Sequence, residues 1–222
     1  MRQLRLTITG CLAAIAAIGA LAGCGAPAYT YAADSADNVY FKVPSSWHQI
    51  SPIVIAETQA RVLRPFPLGT GGAFAWSRAY SADASTSPGD LVTNSRLPTV
   101  YASVQTLDSA RRSQLSFDLM RNIFFPVTAE VRKAETAAGL RLPGFALVQS
   151  SLITDRNGVH GINELFQYDL GGGLPDVFDQ TVLTNSSTTK LYVLVVQCYA
   201  DCFASNASQI SAIVQSFTVR GS

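Results

Sequence analysis

Apolar and polar residues alternate from Val39 to Val43, with Val39, Phe41 and Val43 separated by Tyr40 and Lys42. That two-residue period predicts a half-buried strand. Pro44 and two serines end it, and Trp47 follows. Residues 53–63 are mixed and fit either a second strand or a short helix. Pro65, Pro67, Gly69, Gly71 and Gly72 predict a loop. Alternation resumes from Phe74 to Tyr80, a turn-forming stretch runs from Asp83 to Asp90, and Thr99–Leu107 is rich in β-formers. The period then changes. Leu115, Leu119, Ile123 and Phe124 fall on one side of a helix that Asp108 or Ser109 would cap and Pro126 would stop. A weaker helix or loop covers Ala129–Ala138 and ends at Gly139.

The second half is more regular. Phe145–Thr154 predicts a strand, and Asp155-Arg156-Asn157-Gly158 a hairpin turn, because Asn-Gly supplies the positive φ that such turns need. Val159–Leu170 returns with His160, Ile162, Phe166 and Tyr168 on one face and Asn163 and Gln167 on the other. Gly171–Pro175 is a turn, Val177–Thr184 a third strand and Asn185–Thr189 another turn. Leu191–Val196 is apolar at every position, which predicts a central strand covered on both sides. Ser205 and Ser208 are candidate caps for a last helix, with Ile210, Ile213, Val214 and Phe217 along one side. The order is strands, a helix, a four-strand meander and a helix. It predicts an α+β domain with a central antiparallel β-sheet flanked by helices, not a βαβ nucleotide fold. No internal repeat or second domain boundary interrupts it.

The N-terminus follows a different logic. Arg2 and Arg5 precede an uncharged run, Leu6–Ala20, that is short and Ala/Gly-rich against the ~20 strongly apolar residues of a membrane-spanning helix. The run ends in Leu21-Ala22-Gly23-Cys24, which resembles the lipobox of bacterial lipoproteins. In that family the Cys thiol is diacylglycerated and the peptide before it is removed. The resemblance implies a signal peptide over 1–23, lipidation at Cys24, a small-residue tether over 24–35 and a single domain over 36–222. It also implies a position on the extracytoplasmic face of the cell membrane. Tyr29 and Tyr31 suit either the headgroup zone or a plain tether.

Charge bears on how such a protein is held. The chain carries 16 Lys+Arg and 15 Asp+Glu, and removal of Arg2 and Arg5 leaves 14 basic residues against 15 acidic. A nearly neutral body has no basic footprint for nucleic acid and no polybasic patch for anionic lipid, so acyl chains must do the holding. With 48% hydrophobic and 14% charged residues, the composition excludes a disordered chain.

Candidate chemistry is sparse. Cys11 lies in the discarded peptide, which leaves Cys198 and Cys202 in Gln-Cys-Tyr-Ala-Asp-Cys-Phe. In an exported protein this pair favours a structural disulfide where a strand meets a helix. A redox centre usually separates its cysteines by two residues, and a zinc site needs about four ligands, whereas only His48 and His160 are at hand. His48 beside Trp47 is a candidate ligand or a half-buried residue closing the sheet, and His160 a residue at the core or its rim. Asp176 and Asp179, three apart in a strand, point to opposite faces and read as a solvated edge. No Gly-x-Ser-x-Gly elbow or phosphate-binding loop is present, so no catalytic residue, metal ligand or cofactor is assigned.

The lipobox, Val43-Pro44 with Trp47, Leu142-Pro143-Gly144-Phe145, the Asn157-Gly158 hairpin, the apolar strand 191–196 and the terminal helix make one further pattern. Over residues 36–220 it is similar to actinobacterial lipoproteins of the LpqN/LpqT type, whose fold resembles the photosystem II extrinsic protein PsbP. The resemblance implies a PsbP-like α-β-α sandwich and no catalysis of its own. It implies a lipid-anchored binding or assembly factor for an envelope protein or lipid. The alternative is an envelope hydrolase or thiol-redox protein using His48, His160 or Cys198–Cys202.

Overall fold

The computed structural model describes residues 27–61, 74–85, 87, 89–91, 95–154 and 157–220. Residues 1–26, over which a signal peptide and the lipidated Cys24 are expected, and the glycine-proline loop at 65–72 therefore lie outside the described residues. In chain order the first elements are β1 (Tyr29–Asp34), β2 (Val39–Pro44), β3 (His48–Gln49), α1 (Pro52–Arg61), β4 (Phe74–Ser81) and β5 (Thr99–Thr106). Three short helices follow, α2 (Ser109–Gln114), α3 (Phe117–Arg121) and α4 (Ala129–Ala137). The meander is β6 (Ala146–Thr154), β7 (His160–Tyr168), β8 (Asp176–Thr184) and β9 (Lys190–Tyr199). It leads into α5 (Ala200–Ser205), α6 (Ala207–Ser216) and β10 (Thr218–Val219). The class is α+β, with antiparallel sheets flanked by helices, as the pattern predicts.

One sheet has seven strands in the order β3-β4-β5-β9-β8-β7-β6, and a smaller one has the order β1-β2-β10. The uninterrupted apolar run lands in β9, the fourth of the seven. Leu191, Val193 and Val195 face a core built with α1, α3 and the segment after α3, while Tyr192, Leu194 and Val196 face α6 and the small sheet. Both faces are covered, so six consecutive side chains are buried, each contributing about 1.5–3 kcal/mol. At the other extreme, β6 ends the sheet and is exposed along most of its length.

The small sheet corrects the tether reading for residues 29–34. They pair with β2 in full register, Tyr29 opposite Pro44 and Asp34 opposite Val39. The signal was hidden because the aromatic residues Tyr29 and Tyr31 point away from the core. The inward position opposite Phe41 holds only Ala32. The C-terminal β10 closes the other edge of β2, with Val219 opposite Val39.

Two helix expectations also change. Of residues 53–63, those up to Arg61 form the helix α1, and 62 and 63 lie outside the described residues. The single helix after Asp108 is broken: Asp108 caps α2, then Leu115 turns extended and Ser116 starts α3 by accepting from the Leu119 amide. Ser205 and Ser208 do not cap the last helix. The chain turns helical at Ala200, directly after β9, so Ser205 ends α5 and Asn206 begins α6. Gly158 is required where it stands. Its φ is +77°, and a Cβ would sit 2.7 Å from that of Ser186.

Candidate functional site

The best-formed corner lies where β9 meets α5. Cys198, on the inner face of β9, is bridged to Cys202 in α5, with Cα atoms 6.0 Å apart. The bridge lets the chain leave the sheet and turn helical within one residue. Both cysteines are buried, at 0% and 8% exposure. Attacking thiols therefore have poor access, which suits a structural bridge rather than an exchanging one.

Beside the bridge a cleft of about 350 Å³ opens to solvent. Leu97 and Leu174 give it apolar walls, and Arg96, Asp201 and Asn206 give it polar ones. Tyr199 also lines it, and burial pushes its hydroxyl up from the ordinary range, with Asp176 acting the same way and Arg96 against it. Half-exposed leucines around a few polar groups form a surface able to hold a ligand. No sequence motif marks this cleft, because its walls come from three separated segments.

The two histidines are not brought together. His48 pairs with Ser81 on β3 at one margin of the large sheet. It is exposed, not half-buried as expected, because β3 is an edge strand of two residues. His160 lies on β7, five strand spacings away, or ~24 Å. Its Nδ1 is 3.0 Å from the Gly158 carbonyl oxygen, and its ring meets Phe117 edge-on, which fits the rim reading. Among the described residues no three His, Cys, Asp or Glu side chains are grouped to hold a metal.

Asp176 and Asp179 do point to opposite faces of β8, but the solvated reading fails. Asp176 is 0% exposed. Burial raises the Asp179 carboxyl above the ordinary range, opposed by the Asn163 amide that donates to it at 2.7 Å.

Glu164 was not singled out, although it occupies an apolar-period position between Ile162 and Phe166. It is fully buried beneath α3. Arg121 Nε and Ser150 Oγ each donate to Oε1 at 3.0 Å, and Arg121 also pairs with Asp118 at 2.7 Å. Burial raises the Glu164 carboxyl, and Ser150 and Arg121 work against it. Next to it across the strands, Gln180 donates to the Met120 and Arg121 carbonyls. This network fastens α3 to the sheet.

The outer face of the small sheet is a second surface. Tyr29 and Tyr31 from β1 lie beside Tyr40 and Lys42 from β2, with Arg220 after β10. The Lys42 Nζ sits 4.5 Å over the Tyr29 ring and the Arg220 guanidinium 5.5 Å over that of Tyr40.

No protein-family model matches the sequence, and no curated protein is significantly similar to it. Solved structures do match. The solution structure of cyanobacterial PsbP (CyanoP) from Synechocystis is 14% identical with a TM-score of 0.53, over 91% of this chain and 99% of that one. The fold is PsbP-like. The Saccharomyces cerevisiae Ran-binding protein Mog1p is 10% identical over 87% of this chain and 96% of its own, with a TM-score of 0.41. LpqN, involved in cell envelope biogenesis of Mycobacterium tuberculosis, is 15% identical over 81% and 82%, with a TM-score of 0.42.

Proposed function

We propose that the chain is an exported lipoprotein, acylated on Cys24 and held on the outer face of the cytoplasmic membrane, where its PsbP-like body binds an envelope protein or lipid without catalysing a reaction. The observation that carries the reading is Leu21-Ala22-Gly23-Cys24 behind an uncharged apolar run. No helix among the described residues is long and apolar enough to cross a membrane, so acyl chains would supply the attachment. The binding surface is the cleft beside the bridge, with Leu97 and Leu174 against Arg96 and Asp201. The hydrolase or thiol-redox alternative has less support, since it needs His48, His160 or an accessible bridge beside a partner group.

Metabolic labelling with a palmitate analogue tests the anchor. The label is expected in the membrane fraction and absent from Cys24→Ser. A soluble, unlabelled wild-type product would overturn it. A photo-crosslinking residue at position 174 tests the cleft against the same residue at 133 on α4. Specific adducts only from 174 are expected, and equal adducts from both sites would reject the cleft.

A further inference from the structure

Among the described residues, nothing covers the outer face of the small sheet. Tyr31 is 68% exposed, Ala33 is exposed, and Tyr40 and Lys42 are half-exposed. An open hollow of about 490 Å³ lies between Tyr31, Tyr40 and Arg220. Lys42 and Arg220 take part in no ion pair among the described residues; each instead lies over a tyrosine ring. Two acids lie nearby, and Asp34 lines the hollow itself. Asp34 accepts from the Ala36 and Asp37 amides, and Asp37 pairs with Lys190.

The chain itself decides what this face meets. Tyr29 begins the outer edge strand and stands five residues after Cys24, a reach of at most ~18 Å. From the geometry we infer that the face formed by Tyr29, Tyr31, Tyr40, Lys42 and Arg220 docks the body onto the headgroup layer of an anionic phospholipid bilayer. Tyrosine places its ring at the level of the glycerol esters with its hydroxyl in water, and the two cations reach the phosphates with their stems along the rings. The orientation follows: β1 and β2 lie on the bilayer, while the cleft at Leu97 and Leu174, on other segments of the chain, is left for a partner. This inference rests on the anchor proposed above, and its test is built to fail separately.

The chain from Cys24 onward contains every described residue. With Cys198 and Cys202 bridged, Cys24 is its single free thiol. Coupling that thiol to maleimide-lipid in phosphatidylcholine–phosphatidylglycerol vesicles installs a tether whether or not cells acylate the protein. Lys42, Lys133 and Lys190 are the only lysines. Acetylation by a membrane-impermeant sulfosuccinimidyl ester, read by mass spectrometry, is expected to slow severalfold at Lys42 relative to Lys133 on vesicles, compared with the same ratio in solution. An unchanged ratio overturns the docking face. Equal protection of Lys42 in concentrated protein without vesicles also overturns it, in favour of a second copy on that surface. As a second readout, Arg220→Glu, at a solvent-facing position, is expected to weaken the protection of Lys42 severalfold in the coupled chain on the same vesicles. Undiminished protection counts against Arg220 as a phosphate contact.

Discussion

Strands β9 and β6 belong to one sheet, are ten and nine residues long, and carry no acidic residue, yet they live in different environments. All of β9 except half-buried Lys190 is buried, whereas Val148 and Leu152 of β6 are 62% and 61% exposed. The difference is coverage. The core on the α3 side takes Ile162, Phe166 and Tyr168 from β7 but no residue of β6, and the core on the small-sheet side meets β6 only through half-buried Ile153. Apolar side chains make a strand; what lies above and beside it decides whether they leave water. The same truncation placed in the two strands therefore tests the idea directly. Leu194→Ala in β9 should cost about 2–5 kcal/mol, through lost transfer energy and a cavity that α6 and the small sheet cannot collapse. Urea denaturation reads it as a lower midpoint at an unchanged slope. A cost within the scatter of surface variants would mean that β9 is not packed as described.

The next effect sharpens the covered end of the comparison. The bridge closes a loop of only a few residues at the end of β9, so the chain-entropy account gives it about 2 kcal/mol. The double variant C198A/C202A should lose about that much, again by urea denaturation. Because both cysteines are buried, the wild-type bridge should resist mild thiol reductant in the native state. Rapid reduction without unfolding would revive the redox reading.

The features read correctly from the residues share a cause. The apolar run 191–196, the Asn157-Gly158 turn and the meander are local patterns whose meaning does not depend on distant chain. The misread features do depend on it. Tyr29–Asp34 becomes a strand only because β2 is there to pair with it, and its inward residue is a mere alanine. Whether residues 109–124 form one helix or two turns on Ser116, which caps a new helix in competition with continuation. Cys198 and Cys202 were visible as a pair. The cleft beside them was not, since Leu97, Leu174 and Tyr199 converge from three segments. Burial of Asp176 and Glu164 was likewise hidden, because a carboxylate reads as surface until its neighbours are placed.

Asp179 on β8 sits where the cover thins, between the two extremes. Burial raises its folded-state carboxyl above the unfolded value, so its neutral form fits the fold better. Its contribution is fully present below the unfolded pKa and is lost as pH rises through the folded one. Asp179→Asn removes that loss while keeping an oxygen for the Asn163 amide. The variant should gain stability relative to wild type as pH rises from the unfolded carboxyl value of about 3.9 through the raised folded one. Parallel stability curves for the two proteins across that interval would show that Asp179 is as well solvated as a residue of β6.

The smallest effect is the sharpest test of the comparison. Leu152→Ala deletes from β6 the same atoms that Leu194→Ala deletes from β9, but those of Leu152 are mostly in water already. Its cross-strand partner, Ile162, is held from the opposite direction by the core under α3, so little can relax. The expected cost is within ~0.5 kcal/mol, the range of ordinary surface substitutions. Equal losses at positions 152 and 194 would mean that β6 is covered in solution, by a partner or a second copy. A dependence of the Leu152→Ala loss on protein concentration would identify the second copy as the cover.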